Sequence, residues 1–200
     1  MIECLEDAGR EIILVGGSNS RGVIYGQFAL FDLFLKQQDE RIAVQCASVR
    51  DWPSIAWRGR PHSVLHHHLV PGAMDAYAWS RINFTDVRDN PNCDDHNTIK
   101  NPSYEFHPRK ASMGLPPGVP LDRPRISRFL EEAKQRDMFV WGTVSCGSPN
   151  STPETVTKTF GELFEMGVDG FWLSFDDAGQ GESMISIIES TIAFGKEHGI

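Results

Sequence analysis

The spacing of apolar positions changes character near residue 50. Before that point, Glu11-Ile12-Ile13-Leu14-Val15-Gly16-Gly17 is an apolar run closed by glycines, which predicts a short buried strand. Ser18-Asn19-Ser20-Arg21-Gly22 predicts a turn that carries a helix N-cap. Over residues 23–35, Val23, Ile24, Phe28, Phe31 and Leu33 to Leu35 predict a helix buried over a wide face. Residues 41–49 alternate, with Ile42, Val44 and Cys46 on one side, and predict a second strand. Residues 1–50 thus predict a small strand–helix–strand α/β domain, too small to bury a core alone.

Asp51-Trp52-Pro53 marks a junction, after which strand and helix patterns alternate. Ile55-Ala56-Trp57-Arg58-Gly59 predicts a strand, residues 74–79 a short helix, and Ile82-Asn83-Phe84-Thr85-Asp86-Val87 the next strand. Residues 88–121 are rich in Pro, Asn and Asp without a clear period, and predict a long loop of the kind that is often functional. Asp122-Arg123-Pro124 opens a helix whose stripe is Ile126, Phe129, Leu130 and Ala133. Met138 to Val144 is apolar throughout, as a strand buried on both faces should be. Thr152-Pro153-Glu154 opens another helix, with Val156, Phe160, Leu163 and Phe164 on one face and Gly167 as its C-cap. Gly170-Phe171-Trp172-Leu173-Ser174-Phe175 predicts the next buried strand. A last helix over residues 181–196 has Ile185, Ile188 and Ile192 as its stripe.

Residues 51–200 therefore predict about four strand–helix units and a parallel sheet with helices outside. A doubly wound sheet and an eightfold barrel both fit. A whole barrel takes roughly 250 residues, so residues 51–200 would hold the N-terminal half of a (β/α)8 TIM barrel, truncated.

Composition narrows the partners. The 200 residues carry a net charge of −8, and an acidic surface repels phosphate backbones, which argues against a nucleic-acid partner. No apolar run approaches the roughly 20 residues that span a bilayer. The start, Met1-Ile2-Glu3-Cys4-Leu5-Glu6-Asp7, lacks the basic-then-apolar order of a signal peptide, which leaves the compartment open if the chain is a fragment. Cys4, Cys46, Cys93 and Cys146 are widely spaced, and four free thiols in apolar surroundings are expected.

The most informative stretch is Phe175-Asp176-Asp177-Ala178-Gly179, where two carboxylates follow an apolar strand directly. In parallel α/β folds, ligands bind at the carboxyl ends of strands. Neighbouring strand residues point to opposite faces, so both aspartates share a pocket only if the chain has begun to turn, as Ala178-Gly179 permits. Close like charges and desolvation raise the pKa of one carboxyl, which can then protonate a leaving oxygen while the other stays ionised. Spacing alone leaves two other readings open. Asp176 could cap the next helix with Asp177 solvated, or the pair could bind magnesium.

The stretch Phe160-Gly-Glu-Leu-Phe-Glu-Met-Gly-Val-Asp-Gly-Phe-Trp-Leu-Ser-Phe-Asp-Asp177 resembles the catalytic strand of glycoside hydrolase family 84. That family contains the β-N-acetylglucosaminidases called O-GlcNAcases and bacterial hyaluronidase-like enzymes. Trp57-Arg58-Gly59 resembles the Arg-Gly that opens its barrel, Ile82 to Pro91 its second strand, and Phe139-Val140-Trp141-Gly142 its third. Residues 21–30 resemble the small α/β domain before the barrel in family 20 hexosaminidases and α-glucuronidases. The resemblance implies hydrolysis of terminal β-linked N-acetyl-hexosamine, with the sugar's own 2-acetamido group as nucleophile and no cofactor. It implies that Asp176 orients the acetamido group and that Asp177 is the general acid and later the base. It also implies sugar contacts from Arg88 and from Gly59 of the opening Arg-Gly, while the residues themselves leave Trp57 either packed in the core or stacked on a sugar ring, and Asp89 either touching sugar hydroxyls or solvated. Two departures stand out. Arg60-Pro61-His62-Ser63-Val64 replaces the family's Val-Glu-Gly-Phe-Tyr-Gly, and Arg88 stands where the family has a lysine, a planar fork in place of a point charge.

Other clusters carry less. His66-His67-His68 cannot all face one metal on regular structure, and Cys93-Asp94-Asp95-His96 matches no standard metal spacing, so no metal site is expected. Trp141 and Trp172 are expected in the core, and Asp86 either touches sugar or is solvated. Asn150-Ser151-Thr152 is a glycosylation sequon. An α-glucuronidase-like enzyme and a non-catalytic sugar-binding barrel remain as alternatives, and a glycan is the expected partner in each.

Overall fold

The computed structural model describes residues 1–38, 41–59, 72–88, 115, 117–118, 120–146, 151–175 and 182–200. Ile2–Asp7 (β1) and Arg10–Val15 (β2) form an antiparallel hairpin in which Ile2 faces Val15 and Asp7 faces Arg10. Ala8 and Gly9 close it with φ of 48° and 77°, the left-handed twist that two-residue hairpin turns require. The predicted single buried strand is corrected here. β2 has a partner, β1, that the acidic pattern of Glu3, Glu6 and Asp7 concealed. It also lies in a two-stranded layer, which leaves Ile12 and Leu14 exposed.

Asn19 caps the first helix, Ser20–Ala29 (α1), by accepting from the Gly22 amide at 2.9 Å, as the sequence predicts. The helix ends earlier than its apolar pattern suggests. Leu30–Phe34 is a turn of π-helix, and Leu35–Gln38 (β3) pairs antiparallel with Arg41–Val44 (β4). Strand pairing, Leu35 opposite Val44, overrides the local helical spacing. No α1 side chain is fully buried, so the predicted wide buried face is half-buried instead.

Cys4 and Cys46 form a disulfide, correcting the expectation of free thiols at these positions. The cause is a backbone contact that spacing does not show. Ile2 and Val49 exchange hydrogen bonds of 2.9 and 2.8 Å, which lays the segment before Val49 beside β1. The Cα atoms of the two cysteines then stand 5.6 Å apart, inside bonding range. The bond closes a loop of 42 residues. Cys46→Ser is expected to lower unfolding stability by roughly 2–4 kcal/mol, read as a lower denaturant midpoint than wild type without reductant. Equal midpoints would mean that the two sulfurs are not bonded in solution.

The second part builds one parallel sheet. After Ala73–Trp79 (α2) come Phe84–Val87 (β5), Arg123–Gln135 (α3), Phe139–Ser145 (β6), Pro153–Met166 (α4), Gly170–Ser174 (β7) and Glu182–His198 (α5). The strands lie in chain order, β5-β6-β7, all parallel. Residues 55–59 form no strand of their own. Gly59 makes a single parallel bridge to Phe84, and Asn83 clamps the segment, its side chain accepting from the Arg58 amide and donating to the Ala56 carbonyl. So each successive segment adds at the same edge of the sheet.

Helix boundaries follow the sequence signals. Asp122 accepts from the Arg125 amide, Thr152 and Thr155 form a reciprocal capping box, and Gly167 ends α4 at φ 95°. Ile126, Phe129, Leu130 and Ala133 of α3 are buried, as are Val156, Phe160 and Leu163 of α4, against Val140 and Val144. Each of these side chains except Ala133 contributes about 1.5–3 kcal/mol of apolar burial. α5 departs from expectation. Ile185, Ile188 and Ile192 face solvent, while Ile187 is buried and Phe194 packs on Phe171. β7 is likewise less buried than predicted, because among the described residues it pairs only with β6. No helix among the described residues is long and apolar enough to cross a membrane.

Candidate functional site

Strand alternation sorts the sheet into two faces. Val87, Val140, Val144 and Phe171 belong to the helix-side core. Phe84 and Asp86 on β5, Trp141, Thr143 and Ser145 on β6, and Trp172 and Ser174 on β7 share the other face. That face is graded along the strands. Its amino end is aromatic: Trp57 packs on Phe84, Phe139 and Trp141 at 6.0, 5.1 and 5.9 Å between centroids, and Trp141 meets Trp172 at 6.0 Å. Its carboxyl end is polar.

Asp86 is the hub of that polar end. It is 1% exposed, accepts from Arg88 Nε at 2.5 Å and from the Thr143 hydroxyl at 2.7 Å, and both contacts fall on the same oxygen, Oδ2. This corrects the solvated-loop reading of Asp86. Asp86 and Arg88, two residues apart, fall on one side, and β6 brings Thr143 alongside. Arg88 is buried, and its guanidinium carbon lies 5.9 Å from the Trp172 ring centre. It therefore reaches across β6 to β7, on the same face as Ser145 and Ser174. Leu115 bridges to Val144 at the carboxyl end of β6, beyond the last paired residue of β5.

The site residues expected from sequence are placed as follows. Arg88 lies in the polar end, against Asp86. Trp57, half exposed, lies at the opposite, aromatic end with its ring against three others. Gly59 lies beside it, where an added Cβ would overlap the Phe84 ring, so its small size serves close packing. The structure thus separates Trp57 and Gly59 from Arg88 by the length of the strands. Trp141 and Trp172, expected in the core, line this face instead, and Trp172 is 39% exposed. Asp89, Asp176, Asp177, His66, His67, His68, Cys93, Asp94, Asp95, His96 and Asn150 lie outside the described residues. Among the described residues, no group of three His, Cys, Asp or Glu side chains could hold a metal ion.

Thr143, Ser145 and Ser174 were missed as members of the polar end. The signal was present: they are polar positions spaced by two inside apolar runs, which marks one face of a strand as different from the other. Cys146 follows β6 and is buried, as expected of a free thiol; burial pushes its pKa from 9.0 up to about 11. Because the folded value is raised, the folded protein holds this proton more tightly, and that share of stability is lost as pH rises from 9 through 11. At pH 8 the thiolate share falls roughly hundredfold on folding, so iodoacetamide should label Cys146 far more slowly in native than in denatured protein. Equal labelling rates, read by peptide mass spectrometry, would contradict its burial.

No protein-family model matches this chain, and no curated protein matches it.

Proposed function

We propose that residues 51–200 carry the first strand–helix units of a (β/α)8 barrel, with residues 1–50 as a small leading α/β domain, and that the chain belongs to a glycoside hydrolase acting on terminal β-linked N-acetylglucosamine. The observation that carries this reading is the strand order. Each parallel strand adds beside its predecessor, as successive barrel strands do. The ungraded alternative, a uniformly apolar inner face, would offer no chemistry. Here the inner face turns polar toward the carboxyl ends, where barrel sites are built, and Asp176-Asp177 follow the last residue of β7 by two positions in sequence.

In this reading the acetamido carbonyl oxygen of the substrate attacks the anomeric carbon and the glycosidic C–O bond breaks. Asp177 gives its proton to the departing oxygen. Asp176, ionised, accepts the acetamido N–H and stabilises the positive charge that spreads over the oxazoline ring. Asp177 then takes a proton from the water that opens this ring, which restores the configuration of the sugar. Arg88, fixed by Asp86, contributes a cation to the floor of the site.

The test is substrate choice by the full natural product. An aryl N-acetyl-β-glucosaminide should be hydrolysed at least about a hundredfold faster than the matching β-glucoside, which lacks the internal nucleophile. Preference for an aryl glucuronide would move the assignment to an α-glucuronidase-like enzyme or another uronidase. Turnover of none of the three would leave a barrel that binds sugar without cleaving it.

A further inference from the structure

A cavity of about 600 Å³ lies between the amino-terminal elements and the amino ends of the parallel sheet, at the far end from the polar cluster. Its size is that of a small-molecule site, and junctions between packed units are where such sites form. Its charge runs against that of the chain. The protein has 27 acidic and 19 basic side chains, yet the described wall of this cavity holds Arg21, Arg50 and Arg58 against a single carboxylate, Asp51.

The three arginines differ in what balances them. Arg21 pairs with Asp137 at 3.7 Å, and Arg50 stands 3.7 Å from Glu3 with its side chain 77% exposed. Arg58 is half-buried and donates to the carbonyls of Arg81, Ile55 and Ala56. Those acceptors take Nε–H and Nη1–H and carry no charge. Among the described residues, no carboxylate lies within 4.0 Å of it, and its guanidinium carbon and that of Arg81 each lie 5.6 Å from the Tyr25 ring centre. A half-buried guanidinium that faces a cavity and touches no described carboxylate suits an anion.

The wall also offers a platform. Trp52 lines the cavity and is 77% exposed, and among the described residues no ring stacks on it. A flat, wet indole and a charged fork lining one cavity match a ligand with one apolar ring face and one carboxylate. We propose that this cavity binds a sugar carrying a carboxylate, a uronate, with its ring on Trp52 and its carboxylate on Arg58. The site is separate from the catalytic reading above and does not depend on it.

The test is calorimetric titration of the Asp177→Asn protein, chosen so that hydrolysis cannot interfere, with methyl β-D-glucuronide, methyl β-D-glucoside and inorganic phosphate. Saturable binding of the glucuronide is expected near the millimolar range. The glucoside and phosphate should each bind at least tenfold more weakly, because each lacks one of the two recognition elements. Trp52→Ala removes an exposed side chain with no packing role and should weaken the glucuronide at least tenfold. Arg58→Lys, which keeps the charge but not the fork, should weaken it too. No saturable binding, or binding that Trp52→Ala leaves unchanged, overturns the proposal. Phosphate binding as tightly as the glucuronide overturns the sugar assignment and leaves an anion site only.

Discussion

Asp177→Asn is expected to cut turnover of an aryl N-acetyl-β-glucosaminide by roughly 10²–10⁴-fold, the usual worth of a positioned general acid. The substitution keeps size and shape and removes only the ability to deliver and retrieve a proton. The loss should therefore depend on the leaving group. A substrate whose aglycone departs easily, such as a dinitrophenolate, needs little protonation and should lose less than one with an alkyl aglycone. Asp176→Asn should behave differently. In the proposed mechanism it orients the acetamido group and stabilises charge, so its loss should be similar for good and poor leaving groups. The two aspartates are adjacent in sequence, and this contrast is what assigns their roles. If Asp177→Asn turns over at the wild-type rate, the acid lies elsewhere and the family reading falls with it. If both variants lose the same factor on every substrate, neither is the acid, and a shared binding role remains.

The chemistry-bearing residues were legible in sequence to very different degrees. Helix starts and stops were read correctly at Asp122, Thr152 and Gly167, because capping is a local matter of one side chain and one or two amides. The stripe of α3 and, but for the half-buried Phe164, that of α4 follow the sequence pattern, since each helix offers one apolar face. α5 does not, because it offers two: Ile185, Ile188 and Ile192 along one side, Ile187 and Phe194 along another. Periodicity cannot rank them; the choice is made by Phe171 and the α4 surface beneath. The same limit hid the Cys4–Cys46 bond, which depends on the Ile2–Val49 bridge between segments far apart in sequence. Leu35, the first residue of β3, read as the end of the helix because a strand's partner, here β4, contributes nothing to its local pattern. The Asp86–Arg88 pair sits between these extremes. Asp86 lies on the predicted strand and Arg88 at the start of the predicted loop, so alternation brings them to one side only if it runs one residue past the strand, and Thr143 joins them only through the β5–β6 register, which places Asp86 opposite Trp141.

That cluster carries the largest expected stability effect. Asp86→Ala should lower unfolding stability by about 3–5 kcal/mol, because it takes the carboxylate away from a cation that remains buried. Arg88 and Asp86 have side chains 4% and 1% exposed, so water cannot take over the lost interaction without opening the sheet. Salt screens buried pairs weakly, so the loss should persist at 1 M sodium chloride, where a surface pair would have faded. Thr143→Val removes one hydroxyl donor to the same oxygen and should cost less, about 1–3 kcal/mol. The two losses should not add, since both act on Asp86 Oδ2, and their sum should exceed that of the double variant. Replacing both charges, Asp86→Leu with Arg88→Met, should restore most of the stability, because the cost lies in a buried charge without its counterpart rather than in the absence of the pair. Urea midpoints of these four variants against wild type measure each step. A loss below about 1 kcal/mol for Asp86→Ala is the magnitude of an exposed pair and would mean that this end of the sheet is open to water in solution. If the charge-free double variant recovers stability yet fails to hydrolyse the N-acetylglucosaminide, the cluster is retained for the site it supports and not for the fold.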